Sequence, residues 1–584
     1  MNERSKDTAC ALALAALTVL VVGFSAQTLG FTRDEGYYFK AGELYWGWFK
    51  ELASSMRALD PLRPFSQTVI DKHWSYNHEH PVLLKTLFAL SYGAREQLGL
   101  AVSVHDALRF PAWLVAGLST ALVFALGRTL LPRRAAVVAA LLWLSMPHVF
   151  WHMHVACFDV GAAAGHTALV LAYWRWRHTL AGALAVGVVF GLAAAVKHNV
   201  LPVPALLLAH WWLTQGRAPA GDARRGLTLP AIPVVFLSLA IVSPLVFFAH
   251  WPWLWPAPLT RWGSYIGYHL QHEHYPILYF KDLLTAPPFP MSFPFVMSAV
   301  TIPVPTLVAM LLGLSLAIAV IARSLLVRNA SARQEQELTM VPLGDVAHAP
   351  SWSPALLLAV NALYPFVLIA LPSTPIFGGT KHWMNALPFA CVLAAWAIEE
   401  AMARTLPASS TRAHAADARV HGARVWRRVA PAWLLIAAIA LPGVVISARV
   451  WPYGLGAYNE LIGFTRGAAN VGMQRTFWGY ELRAALPIVN AHQPPVKRMH
   501  FGDTNNDSWR MYQRDDLLRD DIGFSNGVRG ADVASVQPQG EFKQQWMDVL
   551  NEWSNATPDK VLHAQGVPVS VITFREGRAR AADP

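Results

Sequence analysis

Two adjacent carboxylates, Asp34 and Glu35, stand in the stretch FTRDEGYYFKAGELYWGWF (residues 31–49), directly after the first apolar run. Other ionisable side chains also sit at the edges of apolar runs. NHEHPVLLK carries His78, Glu79, His80 and Lys85; ACFDV carries Asp159; AVKHN carries Lys197 and His198. HLQHEHYP adds His269, His272 and His274, and GGTKHWMN adds Lys381 and His382. Carboxylates set beside lysines and histidines suit a phosphate-bearing lipid substrate, because cations hold the phosphate and a carboxylate accepts a proton. Asp159 lies inside the start of an apolar run, where an ionisable group is costly and is a functional candidate by default. Three readings of Asp159 stand open: a metal ligand with His152 or His154, a substrate contact, or a structural partner of Lys197. The histidine spacings match no strong zinc motif.

The two opening carboxylates separate on local grounds. Thr32-x-x-Glu35 matches a capping box, which gives Glu35 a structural role at a helix start. Tyr38, Ala41, Tyr45, Trp48, Phe49 and Leu52 then recur at spacings of three and four, so residues 31–52 read as a helix with one apolar-aromatic face lying on the outer membrane surface. Asp34 projects about 100° away from Glu35, in the first turn, where the helix dipole favours an ionised carboxylate. A second interfacial helix is expected from Pro81 onward. His78, Glu79 and His80 crowd its anion-favouring N-terminus, and Lys85 lies about one turn on.

These residues must be positioned by a membrane protein. The 584-residue chain is 54% hydrophobic and only 14% charged, where a soluble chain carries about 25% charged residues. About eleven apolar runs have the length of a span: 9–30, 107–130, 134–150, 158–174, 180–196, 199–214, 229–250, 295–322, 353–372, 384–403 and 430–448. The first reads as an uncleaved span. Arginines and lysines gather in alternate connections, which places the N-terminus in the cytoplasm and the other connections outside. Those outer connections include the long loop 31–106, which also carries Lys and Arg and is an exception to the rule, and they hold the acidic and histidine candidates. Net charge is +11, but the basic residues are scattered among apolar runs, which argues against nucleic-acid binding. Residues 1–450 read as the transmembrane part and 451–584 as a small extracytoplasmic α/β domain. In it, 496–503 and 567–574 are expected as strands, and 478–490 and 541–553 as helices.

RDEGYYF, NHEHPVLLK, ACFDV, AVKHN, GGTKHWMNALPF and AYNELIGFTRGAANVGMQRTFWGYEL together resemble the GT-C membrane glycosyltransferases. The nearest groups are the dolichyl-phosphate-mannose protein mannosyltransferase superfamily and its bacterial aminoarabinose-transferase-like relatives. The stretches span about 31–485, and one departure is HPVLLK, where relatives often carry a second proline. The resemblance implies a GT-C-like helical membrane fold in a bacterial inner membrane. It also implies transfer of a sugar from a polyprenyl-phosphate carrier to a protein, glycan or lipid acceptor on the outer side, with inversion. It makes Asp34 the general base. It makes Glu79, His80, Asp159, Lys197, Lys381 and His382 contacts of the donor or acceptor; Glu35, Lys85, His198, His272 and His274 join them as expected substrate-binding residues on their position alone. Relatives differ on a divalent metal; Asp159, His152 and His154 are the candidate ligands here. The alternative function is a transporter or flippase of lipid-linked sugars. Such proteins place their key residues at mid-membrane, whereas here they gather at one face.

Overall fold

The computed structural model describes residues 2–214, 232–271, 273–327, 350–405, 418–555 and 557–575. Among these residues, seventeen helices precede the C-terminal region: α1 Glu3–Ser25, α2 Arg33–Arg57, α3 Gln67–Trp74, α4 Leu83–Leu98, α5 Val104–Arg128, α6 Arg133–Ser145, α7 Pro147–His152, α8 Asp159–Trp176, α9 Leu180–Ala194, α10 Val203–Thr214, α11 Val234–Ala249, α12 Pro258–Leu270, α13 Phe293–Thr301, α14 Val304–Val327, α15 Ser353–Ile369, α16 Leu387–Thr405 and α17 Ala418–Val450. Among the described residues, four helical stretches are long and apolar enough to cross a membrane: Glu3–Thr28, Val104–Arg128, Val304–Leu326 and Gly379–Arg404. The expected spans are not all single long helices. Pro147 starts a new helix after α6, and Pro303 separates α13 from α14, since proline removes a backbone donor and clashes with the preceding turn. The polar connections at 328–349 and 406–417 lie outside the described residues.

The first outer loop folds as two long helices with a shorter one between them. Thr32 and Glu35 form both halves of a capping box at the start of α2. The aromatic face of α2 is buried against protein: Tyr45 and Trp48 pack with Ile70 and Trp74 in the main core. Tyr45 stacks on Trp74 with ring centroids 4.0 Å apart. This differs from a helix resting on lipid, and the reason is that α3 and α4 fold back to cover that face. The Leu83 amide, in turn, donates to the Ala195 carbonyl at 2.9 Å, tying the start of α4 to the end of α9.

The C-terminal region holds five strands: β1 Arg498–Phe501, β2 Gly523–Ser525, β3 Val533–Val536, β4 Lys560–Ala564 and β5 Val567–Phe574. Their order is β2-β1-β3-β5-β4, with β1 parallel to both β2 and β3 and the last two pairings antiparallel. Helices α18 Phe464–Asn470, α19 Leu482–Ala491, α20 Asn506–Arg514 and α21 Lys543–Trp553 complete it. This sheet shares a hydrophobic core with the start of α2: Phe31, Tyr38 and Phe39 cluster with Leu482, Met499, Phe501 and Trp509. Polar ties add to it. Tyr512 accepts from the Phe31 amide at 2.6 Å, and Ser508 donates to the Thr32 carbonyl at 2.8 Å.

Candidate active site

Asp34, Glu79, His80, Asp159, Lys197, His198, Lys381 and His382 line one cleft of about 640 Å³. They arrive from five separate segments of the chain. The capped first turn of α2 presents Asp34, the loop before α4 presents Glu79 and His80, and the first residue of α8 is Asp159. Lys197 and His198 stand where α9 ends, and Lys381 and His382 lie on a tight 3-10 segment, Gly379–Ala386, that leads into α16. Gly378 and Gly379 before it both adopt left-handed backbone; a Cβ on Gly378 would stand 2.3 Å from the Lys381 side chain. The GG pair is therefore what lets the lysine fold back into the cleft.

Asp34 and Glu35 part company in the structure. The Asp34 side chain is 24% exposed and its carboxylate lies 3.9 Å from Lys381 Nζ. The Glu35 side chain is fully buried. Glu35 accepts two hydrogen bonds from Arg109, at 2.7 and 2.8 Å, and others from the Thr32 and Ala156 amides. Its expected substrate contact is thereby corrected: every oxygen is spent on scaffold, as its capping role implies.

Lys381 is held from two sides. Its ammonium sits 4.2 Å from the Trp478 ring centroid and 5.0 Å from that of Phe377. Lys197 Nζ donates to Asp159 at 2.6 Å, and His152 Nδ1 lies 3.6 Å from the other Asp159 oxygen. The two cations and two carboxylates thus alternate along one wall. Burial, with Lys85 and His269 nearby, holds His80 well below the ordinary histidine range, so its ring is neutral. His382 Nε2–H donates to the Phe377 carbonyl at 2.7 Å.

Three other expectations are corrected. Lys85 does not reach the cleft; its buried ammonium donates to the Asn77 and His80 carbonyls and so braces the loop that carries Glu79. His274 packs edge-on against Phe289, outside the cleft lining. His272 lies outside the described residues, and the histidine of that stretch that lines the cleft is His269, bonded to the Glu79 carbonyl at 2.9 Å.

Of the metal candidates, His152 stands beside Asp159 but His154 does not join them. His154 donates to the Phe150 carbonyl and bonds Ser25, both at 2.7 Å, on the far side of its helix end. Among the described residues no three His, Cys, Asp or Glu side chains gather as a ligand set. Beside Asp159 the positive charge is already supplied by the Lys197 ammonium, so these residues do not fit a bound divalent ion.

Sequence reasoning did not single out Arg33, Tyr268, Tyr275 or Trp478, which also line the cleft. Arg33 is oriented by Asp503 from the C-terminal sheet, Nη1 to Oδ1 at 3.1 Å, and its amide donates to the Trp478 carbonyl at 2.8 Å. Its adjacency to Asp34, within RDEGYYF, was the available signal.

No family model and no curated protein matches the sequence. Among solved structures, the chain is similar to ArnT from Cupriavidus metallidurans bound to undecaprenyl phosphate, at 15% identity over 98% of this chain and 99% of that one, with a TM-score of 0.43. The apo form of the same protein gives 15% identity over 96% and 97%, with a TM-score of 0.45. The oligosaccharyltransferase of Archaeoglobus fulgidus in its apo form gives 13% identity over 89% of this chain and 65% of that one, with a TM-score of 0.44. These are what the chain is similar to over most of its length.

Proposed function

We propose that the protein is an integral membrane glycosyltransferase that moves a sugar from a polyprenyl-phosphate carrier to an acceptor hydroxyl, with Asp34 as general base. The observation that carries this reading is the accessible Asp34 carboxylate 3.9 Å from Lys381, in a cleft that also holds the Lys197–Asp159 pair. The acceptor oxygen attacks C1 of the sugar, and Asp34 takes its proton. The bond from C1 to the carrier phosphate oxygen breaks, and the electron pair leaves with the phosphate. Polyprenyl phosphate gains one negative charge, so Lys381 and Lys197 are worth most as the transition state forms. Attack opposite the leaving group inverts C1. Glu79, beside the neutral His80, orients sugar or acceptor hydroxyls. The alternating basic connections support an extracytoplasmic cleft and a cytoplasmic N-terminus, as in a bacterial inner-membrane enzyme.

The test is purified protein supplied with polyprenyl-phosphate-linked sugars and candidate acceptors, read by product mass spectrometry with and without chelator. Release of polyprenyl phosphate should depend on acceptor, persist in chelator, and fall roughly 10²- to 10⁴-fold in Asp34→Asn. Undiminished turnover in that variant removes Asp34 from the base role. Protein-dependent flipping of the donor in liposomes without sugar transfer would favour a transporter instead.

A further inference from the structure

A second cavity lies in the C-terminal sheet, apart from the cleft. It is a groove of about 500 Å³ at the carboxyl ends of β1 and β2, with His500, Thr504, Asn505, Asn506, Phe524 and Asn526 among its lining residues. The chain leaves β1 for β2 on one side and then crosses to β3 on the other. In open α/β sheets that reversal of strand order is where ligands collect.

The lining is polar and neutral. His500 is 6% exposed, and its Nδ1 bonds the Ser525 carbonyl at 3.0 Å. A carbonyl only accepts, so Nδ1 carries the proton and Nε2 of the neutral ring is a bare lone pair. Among the described residues Nε2 has no hydrogen-bond partner, and the ring lines the groove. The Thr504 hydroxyl is buried without a partner as well. Buried polar groups in folded proteins are ordinarily satisfied, so the unspent Thr504 hydroxyl, on a groove that the His500 ring also lines, points to a ligand. Among the described residues no Lys, Arg, Asp or Glu lines it, which argues against phosphate or a carboxylate. Amides, a hydroxyl and an imidazole lone pair beside the half-buried Phe524 ring suit a molecule with hydroxyls on its edges and C–H groups on its face.

The groove and the cleft share a wall. Asp503 bonds Arg33 of the cleft, and Asn505 of the groove donates to the Arg33 carbonyl at 2.5 Å. The first turn of α2 is pressed against this wall: a Cβ on Gly36 would stand 2.3 Å from Asn505 Oδ1.

From this juxtaposition we infer that the groove binds a neutral saccharide, and, on the glycosyltransferase reading, that this saccharide is the glycan part of the acceptor. Saturation-transfer NMR on the full-length protein in nanodiscs tests it, with methyl α-mannoside, methyl β-galactoside and cellobiose as probes. At least one probe should receive saturation, and its binding should weaken roughly five- to tenfold in His500→Ala and in Asn526→Ala. His500→Gln, which restores a neutral acceptor, should recover part of it. Binding should be unchanged in Asp34→Asn and in the presence of polyprenyl phosphate, so a failed transfer assay leaves this result standing. Asn526 is exposed, so its variant is informative even where His500→Ala folds poorly. The inference is overturned if no probe receives saturation, if binding survives in both alanine variants, or if inorganic phosphate displaces the probes. Loss of binding with polyprenyl phosphate present would place the sugar in the cleft and overturn it equally.

Discussion

The cleft and the seam behind it hold their carboxylates by different means. In the cleft, acid meets ammonium: Asp159 lies 2.6 Å from Lys197, and Asp34 lies 3.9 Å from Lys381. In the seam between α2 and the C-terminal sheet, Glu481, Asp503 and Glu541 meet mostly amides. Gln537 donates to both Glu481 and Asp503, Gln474 donates to Glu541 at 2.7 Å, and Arg33 is the one ion-pair partner found for the three among the described residues. Amides donate hydrogen bonds without supplying charge, so burial dominates there. Burial, with the charge of Asp503 beside each, pushes Glu481 and Glu541 up to about 8. Burial pushes Asp503 itself up to about 6, against the pull of Arg33. An amide-paired seam therefore titrates within the physiological range.

Four perturbations would break or sharpen this contrast. The largest effect is expected at the most completely charge-paired carboxylate. Arg109→Ala strands Glu35 without a counter-ion at zero exposure, which should cost about 3–5 kcal/mol and show as a large drop in thermal midpoint. Wild-type stability would mean that the backbone donors at Thr32 and Ala156 hold the charge alone. Next, Lys381→Ala should lower turnover about 10²-fold while Lys381→Arg retains part of it, measured as polyprenyl phosphate release. Equal turnover in both would take Lys381 out of the leaving-group wall.

Smaller effects belong to the seam. Asp503 ionises near pH 6 and then holds Arg33 in place, so wild-type turnover should rise through that pH. Asp503→Asn should reduce turnover several-fold and abolish that limb of the pH profile. A limb that persists assigns it to another group. The smallest concerns Glu481. Its folded pKa lies above its unfolded value, so the stability it contributes is present below the ordinary carboxylate range and is lost as pH rises toward about 8. Glu481→Gln should stabilise the protein at pH 9 by on the order of 1 kcal/mol and flatten the fall in thermal midpoint between pH 6 and 9. An unchanged slope would show that Glu481 is not the titrating group.

Much of the cleft was legible because its residues violate local expectation. An aspartate opening an apolar run, a lysine at the next boundary and a lysine after two glycines all stand out in one dimension. The capping box resolved Glu35 from Asp34 for the same reason: its partners are three residues apart. Lys85 misled because a lysine one turn beyond an acidic loop looks like a ligand, whereas its ammonium satisfies two carbonyls of that loop. Trp478 was marked only by the resemblance stretch that contains it, and Asp503 gave no signal. They lie more than 400 residues from Arg33 along the chain, and nothing local marks a tryptophan or an aspartate as belonging to a distant site.

The sequence by itself determined which chemical groups the protein owns, where its apolar helices and their caps start, and that the reactive candidates border those helices. Periodicity, capping and hydropathy are local, so a few neighbouring residues suffice to express them. The tertiary structure alone decided that α2 is clamped between the helical bundle and the C-terminal sheet, that Glu35 is buried on Arg109 while Asp34 faces the cleft, and that His154 turns away from Asp159. Those outcomes depend on which distant surfaces meet, because packing and charge pairing act between residues that are neighbours only in space.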